Sequence, residues 1–212
     1  MFEGLSFDEL NSLLENKRSV DFDIYFGEMD LSDEEIRNRI ELAEKLDNGF
    51  LVVLALLFTM QQYKAVNWES VRSGFETAYR NALENTIIID EYLNSYIRQF
   101  SYDVTESTQK HADDPYYYSM DRSKLMAENE SNTTWNYSDF QLAIQNGYTR
   151  KRWVDIRDRR ERESHRRVGG TVKPINEPFA VGNSFMMFPK DKSTFGADSS
   201  EIINCRCSVV YY

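Results

Sequence analysis

The chain has 212 residues, 41% apolar and 28% charged, with only 9 Gly and 4 Pro, which excludes collagen-like, low-complexity and wholly disordered classes and leaves enough chain to bury a core. A formal charge of −10 excludes a surface coated all over for nucleic acid. The two cysteines, Cys205 and Cys207, stand one residue apart and cannot build the spread framework of a disulfide-dense secreted scaffold, so a reducing compartment is expected.

The first ten residues, MFEGLSFDEL, are acidic, which argues against a signal peptide. Ser6 with Glu9, flanked by Leu5 and Leu10, has the spacing of a capping box with a hydrophobic staple and predicts a helix start. Val20, Phe22, Ile24 and Phe26 then alternate with Asp21, Asp23 and Tyr25, the period of a strand or extended arm. Ser32 with Glu35, flanked by Leu31 and Ile36, repeats the capping box and opens a helix that Asn48-Gly49 should stop. The longest apolar run, Phe50 to Met60, is eleven residues, short of the ~20 that cross a membrane. It predicts a buried helix to about Lys64, and no membrane partner is expected. A further helix from Asn67 places Val71, Phe75, Ala78, Ala82 and Leu83 on one face, and the next carries Ile88, Tyr92, Tyr96 and Ile97.

The polar stretch from Lys110 to Pro115 marks a boundary. Beyond it the pattern predicts helices from about Asp121 to Glu130 and from Asp139 to Asn146, the latter ended by Gly147. Extended pieces follow at Arg152 to Ile156, Ser184 to Phe188 and Ile202 to Tyr212, and in the last Ile203, Cys205, Cys207, Val209 and Tyr211 share a face. The fold class is therefore α+β, with a helical region over residues 1–115 and a smaller C-terminal domain with short antiparallel strands over residues 116–212.

Charge is segregated along the chain. From Arg150 to Lys173 there are ten basic and four acidic residues, a net of +6, which leaves −16 on the rest. Within this segment lies Asp158-x-Arg160-x-Arg162-x-x-His165. On a helix, Asp158, Arg162 and His165 would share a face; on a strand, Asp158, Arg160 and Arg162 would. Arg157, Arg159, Arg160, Arg162, Arg166 and Arg167 could contact phosphates or a partner's acidic surface, or could form a salt-bridged solvated face. At the end of the chain, Asn204-Cys205-Arg206-Cys207 places two sulfurs on one side of a strand, where they could hold a metal or pack as ordinary buried thiols. Tyr116, Tyr117, Tyr118, Trp135 and Tyr137 have acidic or neutral neighbours and read as core or protein interface. There is no Gly-rich phosphate loop, HExxH helix or GxSxG elbow, and no residue is singled out as catalytic.

The order of these pieces says more than any one of them. Lys151-Arg152-Trp153, Asp158-x-Arg160-x-Arg162-x-x-His165, Gly169-Gly170, Pro174, Glu177-Pro178-Phe179, Pro189-x-Asp191 and Glu201-x-x-Asn204-Cys205-Arg206-Cys207 together resemble the C-terminal signature of the phage head-morphogenesis family, the minor head proteins similar to the F protein of phage Mu. The resemblance covers roughly residues 120 to 212 and is strongest from Trp153 onward. It implies a minor capsid protein inside the virion head near the portal, made in the host cytoplasm, acting in head morphogenesis and in DNA packaging or ejection. Its implied partners are the portal protein, other head proteins and packaged double-stranded DNA. Family branches with CxxC at the second motif pair it with the terminal CxC as a zinc knuckle; this chain has Arg162 and His165 at those places, so His165, Cys205 and Cys207 are the candidate metal ligands and zinc the candidate cofactor. Two other classes compete: a small nuclease or toxin-type enzyme using His165 with Asp158 or Glu201, and a zinc-dependent nucleic-acid-binding adaptor.

Overall fold

The computed structural model describes residues 21–212; the Ser6 to Glu9 capping box lies outside them. The fold is α+β. Packing divides the described chain into two compact units, one containing Leu42–Ala127 and the other formed by Phe22–Glu41 together with Glu128–Tyr212. Residues 115 and 116 lie inside the first.

Helices dominate the early chain: α1 (Asp23–Phe26), α2 (Asp33–Gln62), α3 (Trp68–Leu83) and α4 (Glu91–Lys110), then a 3-10 turn (Pro115–Tyr118) and α5 (Met120–Gln145). Their starts follow the sequence signals. At α2 the Ser32 hydroxyl and N–H both donate to Glu35 Oε2 (2.6 and 2.8 Å), and the Glu35 N–H donates back to Ser32 Oγ (3.3 Å), which is the reciprocal capping box. Asn67 caps α3 by accepting from Ser70 N–H, and Asp90 caps α4 by accepting from Leu93 N–H.

Four local expectations are corrected. The alternating run around Phe22 is a helical turn, because Phe22, Tyr25 and Phe26 are all buried and a turn brings positions three and four apart onto one side. Asn48-Gly49 does not end a helix. Gly49 is instead a point of close approach, where a Cβ would stand 2.9 Å from Ala78 Cβ, so α2 continues for 30 residues. The two helices expected after residue 120 are one, α5. Ile88 precedes α4 and is 89% exposed.

In the first unit the interior is built on an aromatic group in which Phe50 meets Phe75, Tyr79 and Phe100 at ring separations of 5.3–5.9 Å. Leu46, Leu54, Leu57, Leu83, Leu93 and Ile97 are buried with it. Arg122 lies 4.3 Å over the Tyr117 ring and donates to Thr108 Oγ1 and to the Tyr117 carbonyl; burial lowers its pKa to about 10.

The second unit adds β1 (Arg150–Val154), α6 (Glu163–Val168), β2 (Val172–Pro174), β3 (Phe179–Val181), β4 (Ser184–Met186), α7 (Ser199–Ile202) and β5 (Ser208–Tyr211). β1 is the middle of an antiparallel sheet in the order β2-β1-β5, with Arg152 opposite Val172 on one side and Val210 on the other. β3 and β4 form a separate hairpin with Phe179 opposite Met186. Trp153, Val168, Phe179, Val181, Met186, Ala197, Ile202, Cys205 and Cys207 form one buried cluster. Two expected strands are displaced: the first begins at Arg150 and ends at Val154, and the second ends at Met186. The third is broken. Ile202 ends a helical turn, Asn204 takes a left-handed conformation (φ 58°), and β5 begins only at Ser208, so the Cys-x-Cys run is an irregular segment leading into the strand.

Candidate functional site

Within the second unit, the site rests on the middle of α5, where the sequence is polar: Glu128, Asn129, Glu130, Ser131, Asn132, Thr133, Thr134 and Asn136 are all buried. Such a run disfavours helix when its side chains compete for the backbone. Here several of those side chains are engaged by distant segments instead. Ser131 Oγ donates to the Arg39 carbonyl (2.6 Å), and Trp135 Nε1 to the Asn38 carbonyl (3.1 Å). Asn129, Asn132 and Asn136, at i, i+3 and i+7, line one face. Asn132 Nδ2 donates to the Cys205 carbonyl (3.0 Å), and Asn136 Nδ2 to the carbonyls of Cys207 (3.3 Å) and Pro189 (3.2 Å). Asn129 Oδ1 accepts from Asn204 N–H (2.7 Å). This ladder supplies the irregular Cys205–Cys207 segment with the backbone partners that a strand would have provided.

Arg39, fully buried, braces the ladder from α2. It reaches Asn132 Oδ1 and Asn136 Oδ1 (3.4 Å each) and pairs with Asp139 (2.9 Å). Tyr25, from α1, donates its hydroxyl to the same Cys205 carbonyl (2.9 Å).

On this frame His165, Cys205 and Cys207 converge. All three are buried, and one ligand atom from each lies within 4.8 Å of the others. His165 Nδ1 is 3.4 Å from Cys207 Sγ, and Nε2 is 3.1 Å from Glu201 Oε2, which also accepts from Ser164 Oγ (2.7 Å). Gly182, at the β3–β4 turn with φ 57°, lets the hairpin abut this carboxylate: a Cβ there would lie 2.4 Å from Glu201 Oε1. A cavity of about 20 Å³, the room of a single water, is lined by Glu161, His165, Cys205 and Cys207 among others, and Glu161 Oε1 is buried without a hydrogen-bond partner.

The protons are unevenly held. Burial opposes ionisation of Cys205, but hydrogen bonds from Cys207 and His165 and the charges of His165 and Lys190 outweigh it and hold the thiol well below its usual range. Cys207, which donates to Cys205 and is buried, is raised well above it. Burial would likewise lower His165, yet the hydrogen bond and charge of Cys205 raise it. Both shifts favour an imidazolium beside a thiolate, and the same donor atoms can take a soft metal in place of the proton.

The arginine-rich segment is placed differently from either periodic expectation. Asp158, Arg162 and His165 do not share a helix face, because α6 begins only at Glu163, after Arg162. Arg162 donates to the Ile203 carbonyl, and Arg160 pairs with Glu28 and Asp158. Arg157 pairs with Asp155, Arg166 with Glu161 and Arg167 with Glu163, all three being exposed, as is Arg159. Asp158 is thereby committed to arginines and unavailable as a metal ligand. Its partner Arg206, 7% exposed, also pairs with Glu28. Burial pushes Asp158 up, but hydrogen bonds from Arg206 and Arg160 leave it below the ordinary carboxylate range. Sequence reading missed Glu28 and Arg206, and it missed Asn132 and Asn136. Only the phase of the asparagines on α5 signalled a common face.

The Pro189-x-Asp191 motif closes a turn: Asp191 accepts from Met187 N–H (2.9 Å), Thr194 N–H (3.1 Å) and Thr194 Oγ1 (2.7 Å). Lys151 Nζ donates to the Met187 carbonyl (2.7 Å) and stands 5.1 Å from the ring centres of Phe140 and Phe179. Burial lowers its pKa to about 8.

A family model described as Phage Mu protein F like protein matches residues 74–210. No curated protein matches the chain, and no solved structure does.

Proposed function

The chain belongs to the phage Mu protein F-like family, a family of phage head proteins, and from that premise we propose that it is a minor head protein inside the virion head beside the portal, acting in head morphogenesis and in DNA packaging or ejection. The observation that carries this reading is the family match over residues 74–210. The arginine segment is its contact surface. The Arg167–Glu163 ion pair, exposed on both sides, contributes little to stability, so Arg167 can exchange its carboxylate for backbone phosphates or for an acidic patch on another head protein, and the exposed Arg157, Arg159 and Arg166 offer their remaining N–H donors beside it. Arg160 and Arg162 instead brace the site. No helix among the described residues is long and apolar enough to cross a membrane.

The metal forms part of the same proposal. A tetrahedral zinc with bonds of about 2.0 Å to nitrogen and 2.3 Å to sulfur separates those atoms by roughly 3.5 Å, and the 3.4 Å between His165 Nδ1 and Cys207 Sγ fits it. His165, Cys205 and Cys207 would hold the ion, with Glu201 orienting the imidazole through its other nitrogen. Zinc would supply a structural clasp between α6 and the Cys-x-Cys segment. With His165 2% exposed and its ring nitrogens directed at Cys207 and Glu201, a clasp is better supported than a nuclease base.

Quantitative mass spectrometry of purified virions tests the assignment. The expected result is a few copies per portal ring in DNA-filled heads; abundance matching the shell subunit, or absence from virions, would overturn it. Changing Arg157, Arg159, Arg166 and Arg167 to Gln should weaken DNA or portal binding and flatten its salt dependence.

A further inference from the structure

Lys190 and Asn129 meet in the interior of the second unit. Lys190 is fully buried and Asn129 is 8% exposed, and Lys190 Nζ lies 2.5 Å from Asn129 Oδ1. The lysine is aimed there by its backbone, which is left-handed (φ 70°), and by the Asn136 hydrogen bond to the preceding carbonyl of Pro189. A buried ammonium needs a compensating charge or several acceptors, yet the hydrogen bond that Lys190 makes is to a neutral amide. Burial lowers the Lys190 pKa to about 8 against the charge of Cys205, which raises it, so the ammonium gives up its proton, leaving the nucleophilic amine, at mildly alkaline pH. The amide facing it is polarised: Oδ1 also accepts the Asn204 N–H at 2.7 Å, and Nδ2 donates to Asn204 Oδ1 at 3.3 Å. The charge of Glu130, itself buried, acts on Lys190.

We propose that Lys190 and Asn129 form an intramolecular isopeptide bond. Nζ adds to Cγ of Asn129, and the negative charge developing on Oδ1 is held by the Asn204 N–H, a fixed donor of the oxyanion-hole kind. Glu130 takes the proton released by Nζ and returns it to Nδ2. The Cγ–Nδ2 bond then breaks and ammonia departs. One C–N bond forms and one breaks, nothing is oxidised or reduced, and no co-reactant is needed. The product ties the loop carrying Pro189-x-Asp191 to α5 and replaces a buried amine by a buried amide.

The test is the mass of the full-length protein, measured after denaturation, with circular dichroism beforehand showing that each variant had folded. The bond predicts a mass lower than that of the sequence by one ammonia, with a branched tryptic peptide joining the stretches that contain Asn129 and Lys190. Lys190→Arg should restore the full mass, and Glu130→Gln should leave most molecules at full mass. Wild-type protein at full mass, with Lys190 open to amine reagents once unfolded, would overturn the proposal. So would a loss of ammonia without the branched peptide, which would place the change elsewhere. Cross-linking that proceeds undiminished in Glu130→Gln would overturn Glu130 as proton carrier.

Discussion

The carbonyl of Cys205 accepts two side-chain hydrogen bonds, from Tyr25 hydroxyl at 2.9 Å and Asn132 Nδ2 at 3.0 Å, inside a segment whose residues are buried. Tyr25→Phe removes one donor without changing shape and leaves the carbonyl its other partner, so its cost is that of one net hydrogen bond, about 1 kcal/mol. Asn132→Ala removes the other donor and the 3.4 Å contact with Arg39 Nε. Arg39 keeps Asp139 at 2.9 Å, so this change should cost about 1–2 kcal/mol. The double variant strands the carbonyl without either partner, and an unsatisfied buried acceptor costs about 1–3 kcal/mol beyond a lost net bond. Destabilisation should therefore exceed the sum of the single changes by at least about 1 kcal/mol. Urea unfolding followed by tryptophan fluorescence measures it, with unchanged slopes required before midpoints are compared. Strict additivity, or a double variant milder than the sum, would refute the view that the α5 ladder holds the Cys-x-Cys backbone.

Purified protein given one equivalent of zinc should retain about one ion per chain, and cobalt in its place should show thiolate charge-transfer absorption; Cys205→Ser or Cys207→Ser should abolish that absorption, and retention undiminished in both would refute the site. Lys151 titrates near 8 when folded and near 10.4 when unfolded. Between those values the unfolded chain binds more protons, so the Lys151 contribution to stability should rise with pH across that window, by an amount on the order of 3 kcal/mol when complete. Wild type compared with Lys151→Met by urea titration from about pH 7.5 to 9.5 should show the variant with the flatter rise, and parallel curves would refute the assignment. Gly49→Ala gains up to ~1 kcal/mol in helix propensity but drives a methyl to 2.9 Å from Ala78 Cβ, an overpacking cost of about 1–3 kcal/mol. A lower melting temperature is expected, and a higher one would show that the two helices do not need the glycine.

The sequence by itself determined the features written in neighbouring residues. The Ser32 and Glu35 box and the Asn67 cap set helix starts because a cap joins groups three residues apart. Val71, Phe75, Ala82 and Leu83 were legible as a buried face because helical period alone sorts them. The ordered motifs from Trp153 to Cys207 carried the family, and His165, Cys205 and Cys207 were legible as partners through that resemblance. Spacing placed both sulfurs together for a reason that did not hold, since the segment is not a strand. What only the tertiary structure decided are pairings across long stretches of chain. The polar middle of α5 reads locally as a break between two helices, yet Asn132 and Asn136 find acceptors 73 and 71 residues away. Arg206 is joined to Glu28 across 178 residues, and Asp158, which shares a short motif with His165, is taken by that arginine instead. Gly49 looks like a helix stop until Ala78 is seen against it. In each case the residue satisfies a hydrogen bond, a charge or a close contact supplied by a remote segment, and local periodicity carries no record of which remote group will be there.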